Sequence, residues 1–212
     1  MTKTMKRFAW MMLMVGLPLA GVAQNTWEKP EKKQEAEKMV EAAKPNPDAK
    51  YLRGAVPMEN GKVVFRKVIE APGKTAFQIY NIIGQFLQDE TREENQLNSH
   101  FVKADTTDYE LGASYEEWLV FHSNALVLDR TRFYYVLRAH CQDGKAEIEM
   151  SHIKYLYEEE RNPIRYKAEE CITDEEAVNK KNTKLQPIVG KFRRKTIDRK
   201  DYLFNKLENL LK

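Results

Sequence analysis

Four histidines, His100, His122, His140 and His152, are the side chains best suited to move a proton or hold a metal near neutral pH. No two of them stand four residues apart, and neither H-E-x-x-H nor a Cys/His cluster occurs, so a helical zinc site is not encoded. His122 and His152 could meet on neighbouring strands, and His152 is expected to face Tyr135 on the core side. A hydrogen-bonded core histidine is the simpler reading of that position than a ligand or a base. Glu158, Glu159 and Glu160, like Glu169 and Glu170, are contiguous carboxylates. Neighbouring side chains diverge, whereas acid–base chemistry needs two carboxyls placed together in different environments. The chain also lacks the D-x-D-x-D-G calcium spacing, G-x-S-x-G, the Walker A loop and a dinucleotide fingerprint. No catalytic residue, metal ligand or cofactor is assigned, and the reading leans away from an enzyme.

Lys191, Arg193, Arg194, Lys195, Arg199 and Lys200 surround Phe192 and could hold anionic headgroups. Pairing with the acidic stretch Glu169–Glu176 in the same domain is the favoured reading. Two cysteines, Cys141 and Cys171, have 29 residues between them. A bridge there would contribute about 3 kcal/mol through the unfolded chain, and two separate buried thiols are the competing expectation. No C-x-x-C suggests a redox pair.

The first residues decide the compartment. Lys3, Lys6 and Arg7 precede an apolar run from Phe8 to Ala20, and Gly21-Val22-Ala23 supplies small residues. That order is expected of a secretory leader, 1–23, cut after Ala23. The run is too short to span a bilayer. The chain has 35 Lys+Arg and 32 Asp+Glu; the leader holds three of the cations and no acid, leaving 32 of each. With no net basicity in the remainder, nucleic acid is not expected as a partner. Residues 24–57 read as a charged arm, rich in Glu and Lys and interrupted by Pro45-Asn46-Pro47-Asp48. Residues 58–212 read as one domain.

Within that domain, Lys62–Glu70 is short and rich in β-branched residues, a strand. Thr75 and Gln78 form a capping box for a helix over Ala76–Gln88, whose stripe is Ile79, Tyr80, Ile83, Phe86 and Leu87. Gly84 in that helix suggests close packing. Ser99–Asp105 and Glu116–His122 are candidate strands; Ala125–Leu128 is either a short strand or a continuation. Arg132–Cys141 and Lys145–Tyr157 flank Asp143-Gly144, which suits a two-residue turn with positive φ at both positions. Paired residue numbers then sum to 287. Phe133, Tyr135, Leu137 and Ala139 face the core, while Arg132, Tyr134, Val136, Arg138, His140, Ile153 and Tyr155 face outward. Arg138 should oppose Glu149, and His140 should oppose Glu147. Thr173 opens a short helix, and Thr196 caps a last helix over Ile197–Leu211. Two helices with one apolar stripe each demand an antiparallel sheet covered on one face, an α+β fold of order β-α-β(4)-α.

These strings also resemble a known family: exported proteins of Bacteroides-type bacteria, domain of unknown function 4468, whose fold is similar to the TATA-binding protein. The stretches that carry the resemblance include Gly61–Phe65, Ala71-Pro72-Gly73, Glu117–Phe121, Leu128–Thr131 and Asp143-Gly144. Tyr155–Glu159, Tyr166–Glu170 and Gly190–Asp198 complete them. The resemblance implies the TBP-like fold and brings no active-site residues, and a shared fold does not imply DNA binding.

The sequence therefore points to an exported envelope module, periplasmic or outer-membrane-associated in a Gram-negative bacterium, without a spanning segment. It would bind an envelope protein or a small ligand through the uncovered sheet face, with Tyr134, Arg138, His140 and Tyr155 as its surface. The alternative is a carrier with an apolar pocket beneath Phe204 and Leu207 of the last helix.

Overall fold

The computed structural model describes residues 45–212; the expected leader and the arm up to residue 44 lie outside them. Strands β1 (Met58–Glu59) and β2 (Lys62–Val63) form a small hairpin, and β3 (Phe65–Glu70) leads into helix α1 (Ala76–Glu90). Four strands follow: β4 (His100–Asp105), β5 (Glu110–Ser123), β6 (Leu128–Gln142) and β7 (Lys145–Tyr157). After β8 (Ile164–Lys167) come a short α2 (Asp174–Ala177) and a long α3 (Gly190–Leu211). The main sheet runs β3-β7-β6-β5-β4 and is antiparallel throughout, with β8 beside β3 on the same edge of β7. This is the expected α+β architecture with β8 added to the sheet; the strand expected over Lys62–Glu70 is split at Val64, and its first part pairs with β1 in a separate hairpin.

The β6–β7 hairpin carries the expected register from Gln142↔Lys145 to Val136↔Ser151, with Arg138 opposite Glu149. Only Gly144 of the turn has a positive φ, 78°. The turn is shaped by α1: Asp143 Oδ1 accepts the Ala76 amide at 2.7 Å, and the Gly144 amide donates to Lys74 O at 2.9 Å. A side chain that caps the helix is worth more here than a symmetric hairpin turn. The same helix start has the expected capping box, with the Gln78 amide donating to Thr75 Oγ1 and the Thr75 amide to Gln78 Oε1. Gly84 is not forced by packing, because a Cβ there would meet Leu111 methyls at 3.7 Å, an ordinary contact.

Beyond Ser151 the register slips by one, so that Tyr134 pairs with Lys154 and Phe133 with Tyr155. The extra residue is His152, at φ 58°. A one-residue bulge sends every later side chain to the opposite face. His152 is thus exposed rather than set in the core, and Ile153 and Tyr155, expected outside, are 2% and 1% exposed. On the core face Tyr155 stacks on Phe133 with 5.5 Å between centroids, and Tyr115 stacks on Tyr135 at 5.0 Å.

Helix α3 begins seven residues before the expected Ile197. Thr196 is not a cap; it is buried inside the helix, 2.6 Å from the Tyr155 hydroxyl. The added turns bury Phe192 against Phe121 and Tyr155 and bring Arg193 inward. The Arg193 guanidinium donates to the carbonyls of Tyr51, Leu52 and Ile172 and to Asp174 Oδ1, all at 2.6–2.7 Å. It thereby straps residues 48–52 to the helix, and Asp48 adds a bond from the Leu185 amide and a 2.9 Å ion pair with Arg194. Residues 46–57, expected to end the arm, therefore pack on the folded unit.

Helices α1 and α3 share the core face with one continuous apolar cluster. Between them lies a buried charge group. Arg199 of α3 pairs with Glu117 of β5 at 2.8 Å and with Glu90 at the end of α1 at 3.0 Å. Lys206 reaches the other oxygen of Glu90 at 2.8 Å, and Gln96 Nε2 donates to Glu117 Oε2 at 2.6 Å. All three of Glu90, Glu117 and Arg199 are at most 1% exposed. Two carboxylates balance one guanidinium and one ammonium, which makes this burial tolerable. Removing the guanidinium strands two carboxylates in the core, so Arg199→Met is expected to lower stability by about 3–5 kcal/mol in denaturant unfolding. A loss under 1 kcal/mol would show the group to be incidental.

Candidate functional site

With both helices on one side, the opposite sheet face stays uncovered. Its centre is Tyr134, Val136, Arg138 and His140 of β6, between Glu147 and Glu149 of β7 and Glu110, Gly112 and Glu116 of β5. Arg138 stands opposite Glu149 but does not pair with it. Arg66 of the neighbouring β3 takes both acids first, Glu147 at 3.0 Å and Glu149 at 2.8 Å, and Ser151 Oγ donates to Glu149 at 2.7 Å. On its other side Arg138 faces Gly112, which offers no side chain; a Cβ there would come within 3.2 Å of Val102. Among the described residues Arg138 is exposed and has no ion-pair partner.

Around this point lies a depression of about 650 Å3 walled by Arg66, Lys103, Glu110, Arg138, His140 and Glu149. Lys103 pairs with Glu110 and holds that carboxyl below its usual range. His140 stands opposite Glu147 as expected, but its ring turns to the other neighbouring strand. Its Nδ1 is buried without a hydrogen bond and lies 3.6 Å from Glu110. Tyr134 is half-buried, and burial followed by the Glu116 carboxylate raises its hydroxyl above the usual tyrosine range. Arg132 bridges Glu116 at 2.7 Å and Glu159 at 2.5 Å, and these partners, Glu159 first, raise its pKa further. Of the four residues expected to form the surface, Tyr134, Arg138 and His140 lie together on it, and Tyr155 does not. The bulge at His152 carries Tyr155 into the core.

A second depression of about 510 Å3 lies toward the β5–β6 turn, where Arg130 is stacked on Trp118 at 3.6 Å. Neither residue stood out in the sequence, although the consecutive aliphatics Leu126-Val127-Leu128 after a turn-forming Asn124 were a visible signal. The basic run of α3 is largely spent within the domain. Arg193 meets Asp174 at 2.6 Å, inside the acidic stretch expected to receive it, whereas Arg194 pairs with Asp48 and Lys191 with Asp129 at 2.8 Å. His152 approaches Ser151 Oγ at 3.0 Å, and among the described residues no three His, Cys, Asp or Glu side chains converge as metal ligands. No helix among them is long and apolar enough to cross a membrane.

The protein is thus an α+β domain with an antiparallel sheet and both long helices on one face. A family profile described as a domain of unknown function (DUF4468) with TBP-like fold matches residues 65–156. A DUF4468 family protein from Bacteroides ovatus ATCC 8483 is 38% identical, with a TM-score of 0.72 over 77% of this chain and 94% of that one. The chain belongs to this family. A TBP-like protein from Parabacteroides distasonis ATCC 8503 is similar at 21% identity and a TM-score of 0.59, covering 74% of this chain and 97% of that one. No curated protein matches.

Cys141 and Cys171 are separate free thiols, so the bridge weighed from the sequence is not made. Cys141 pairs with Ala146 at the turn end of the hairpin, while Cys171 follows β8, which flanks the far end of β7. Ala146 and Tyr155 are nine residues apart on β7, about 30 Å at the usual strand rise. Burial pushes both thiols up to about 12. Neither is therefore expected to react with an aromatic disulfide reagent at pH 8 until the protein is unfolded, when both should. Rapid titration of either thiol in the native protein would contradict the burial.

Proposed function

We propose that this chain is an exported binding module of a Gram-negative envelope, periplasmic or associated with the outer membrane. Its working surface is the uncovered sheet face around Arg138. The leader pattern of residues 1–23 supports the compartment. The observation that carries the surface is the unpaired Arg138 in its depression, on a face where Arg66, Lys103 and Arg132 each hold carboxylates. A guanidinium with free donors fits a planar or tetrahedral anion, a carboxylate or phosphate borne by the partner. Tyr134 beside it adds the amphipathic ring common at binding hot spots.

The carrier alternative needs space beneath Phe204 and Leu207. Both belong to the continuous core, and the depression beside Phe204, about 270 Å3, opens among Lys200, Asp201 and Asn205. Nothing favours that reading over the open face.

A photo-crosslinking residue placed at Arg138 or Tyr134 in cells of a native-type host tests the proposal, with Phe77, 55% exposed on α1, as control. The sheet-face positions should give one discrete adduct in the envelope fraction, on chains shortened by 23 residues in intact mass. An adduct from Phe77 alone, or a chain retained whole in the cytosol, would refute it.

A further inference from the structure

Leu126 and Val127 of the turn between the two longest strands, with Leu128 that opens β6, are 95%, 52% and 46% exposed. The turn has a defined shape. Asn124 Oδ1 accepts the amides of Leu126 at 2.9 Å and Val127 at 2.8 Å, and the Asn124 amide donates to Val127 O at 2.9 Å. Three aliphatic side chains are thus held in water by a turn that does not let them fold back. Such a run is an uncommon surface feature for a monomeric domain.

Behind this tip stands a belt of a different kind. Arg130, two residues from Leu128 and so about 7 Å up the strand, lies flat over the Trp118 ring at 3.6 Å. Around it are four ion pairs, Arg130–Glu160 at 3.5 Å, Arg161–Glu158 at 3.8 Å, Lys191–Asp129 at 2.8 Å and Arg132–Glu159 at 2.5 Å. The belt therefore carries both signs and no net charge. The depression of about 510 Å3 lies between tip and belt, with Arg130, Arg161 and the three glutamates among its walls.

A convex tip three residues wide is a poor protein interface, since specific complexes engage roughly 20–30 residues on each side. It suits a bilayer interface, where apolar side chains enter by about 5–10 Å and Trp and Arg settle at the headgroups. The rise from Leu128 to Arg130 matches that depth. A belt of paired charges also matches a headgroup that has both a phosphate and an ammonium. We propose that the β5–β6 turn is a membrane-docking tip that inserts Leu126, Val127 and Leu128 among zwitterionic phospholipids, with phosphate toward Arg130 and ammonium toward the exposed Glu160. This surface is separate from that around Arg138, and either can fail alone.

The test uses the chain from Gln24 onward, the form expected after export, so that the apolar leader contributes no lipid binding, and phosphatidylethanolamine–phosphatidylcholine vesicles. A polarity-sensitive dye is attached to Leu126→Cys or, as a control on the open face, to Val68→Cys; the native thiols are buried and do not take it. Vesicles should shift the dye emission to the blue at position 126 and leave it unchanged at 68. The shift should persist in high salt, because no net charge drives it. Leu126→Asp should weaken vesicle binding about tenfold or more while leaving the fold intact. Three results would each overturn the proposal: an aqueous spectrum at 126 in the presence of vesicles, equal vesicle binding by Leu126→Asp, or a shift that follows protein concentration without lipid, which would make a second copy the occupant.

Discussion

The contact of Arg199 with Glu117 and Glu90 links the central sheet to both long helices at one point. Apolar burial is non-directional, so the stripes of α1 and α3 could slide or rotate on a flat sheet at modest cost. A buried guanidinium is not so tolerant. It needs its carboxylates at fixed distance and angle, because any lapse leaves charge in a medium that solvates it poorly. The group therefore specifies where the helices sit more than it adds to stability. Its consequence is one-sided coverage, and the uncovered face is what remains available for binding.

The second constraint is the bulge at His152. Without it, β7 would send Tyr155 outward, and the hydroxyl that meets Thr196 of α3 would be lost from the core. With it, the same strand offers Glu147 and Glu149 to the open face at one end and Ile153 and Tyr155 to the core at the other. Arg66 then compensates both glutamates from the adjacent strand. That substitution of partner is what leaves Arg138 free. The open face thus follows from pairing choices made three strands wide, none of them visible from a single hairpin.

Periodicity and turn chemistry made much of this legible in the sequence. The capping box at Thr75, the span Lys145–Tyr157 and the register through Arg138↔Glu149 are local properties, and they appear as read. What the sequence concealed were the places where tertiary contacts overrule local pattern. A left-handed histidine has no sequence mark, so the slip at His152 and the burial of Tyr155 could not be foreseen. The first turns of α3 were obscured because Arg193 interrupts its apolar stripe while lying fully buried. Glu117 was hidden in the same way, a carboxylate at a core-facing position of a strand. The site was legible in part: Tyr134, Arg138 and His140 share a face by simple alternation, while the emptiness beside Arg138 needed Gly112 and Arg66 from other strands.

One-sided coverage with a register change inside β7 makes a pattern of accessibility that few other arrangements would give. Hydroxyl-radical footprinting with residue-level mass spectrometry reads it directly in the native protein. Tyr134 should be oxidised readily, while its neighbours Phe133 and Tyr135, and Tyr155 across the bulge, should be protected until unfolding. Oxidation of Tyr155 at the rate of Tyr134, or protection of Tyr134 together with Tyr135, would contradict the account.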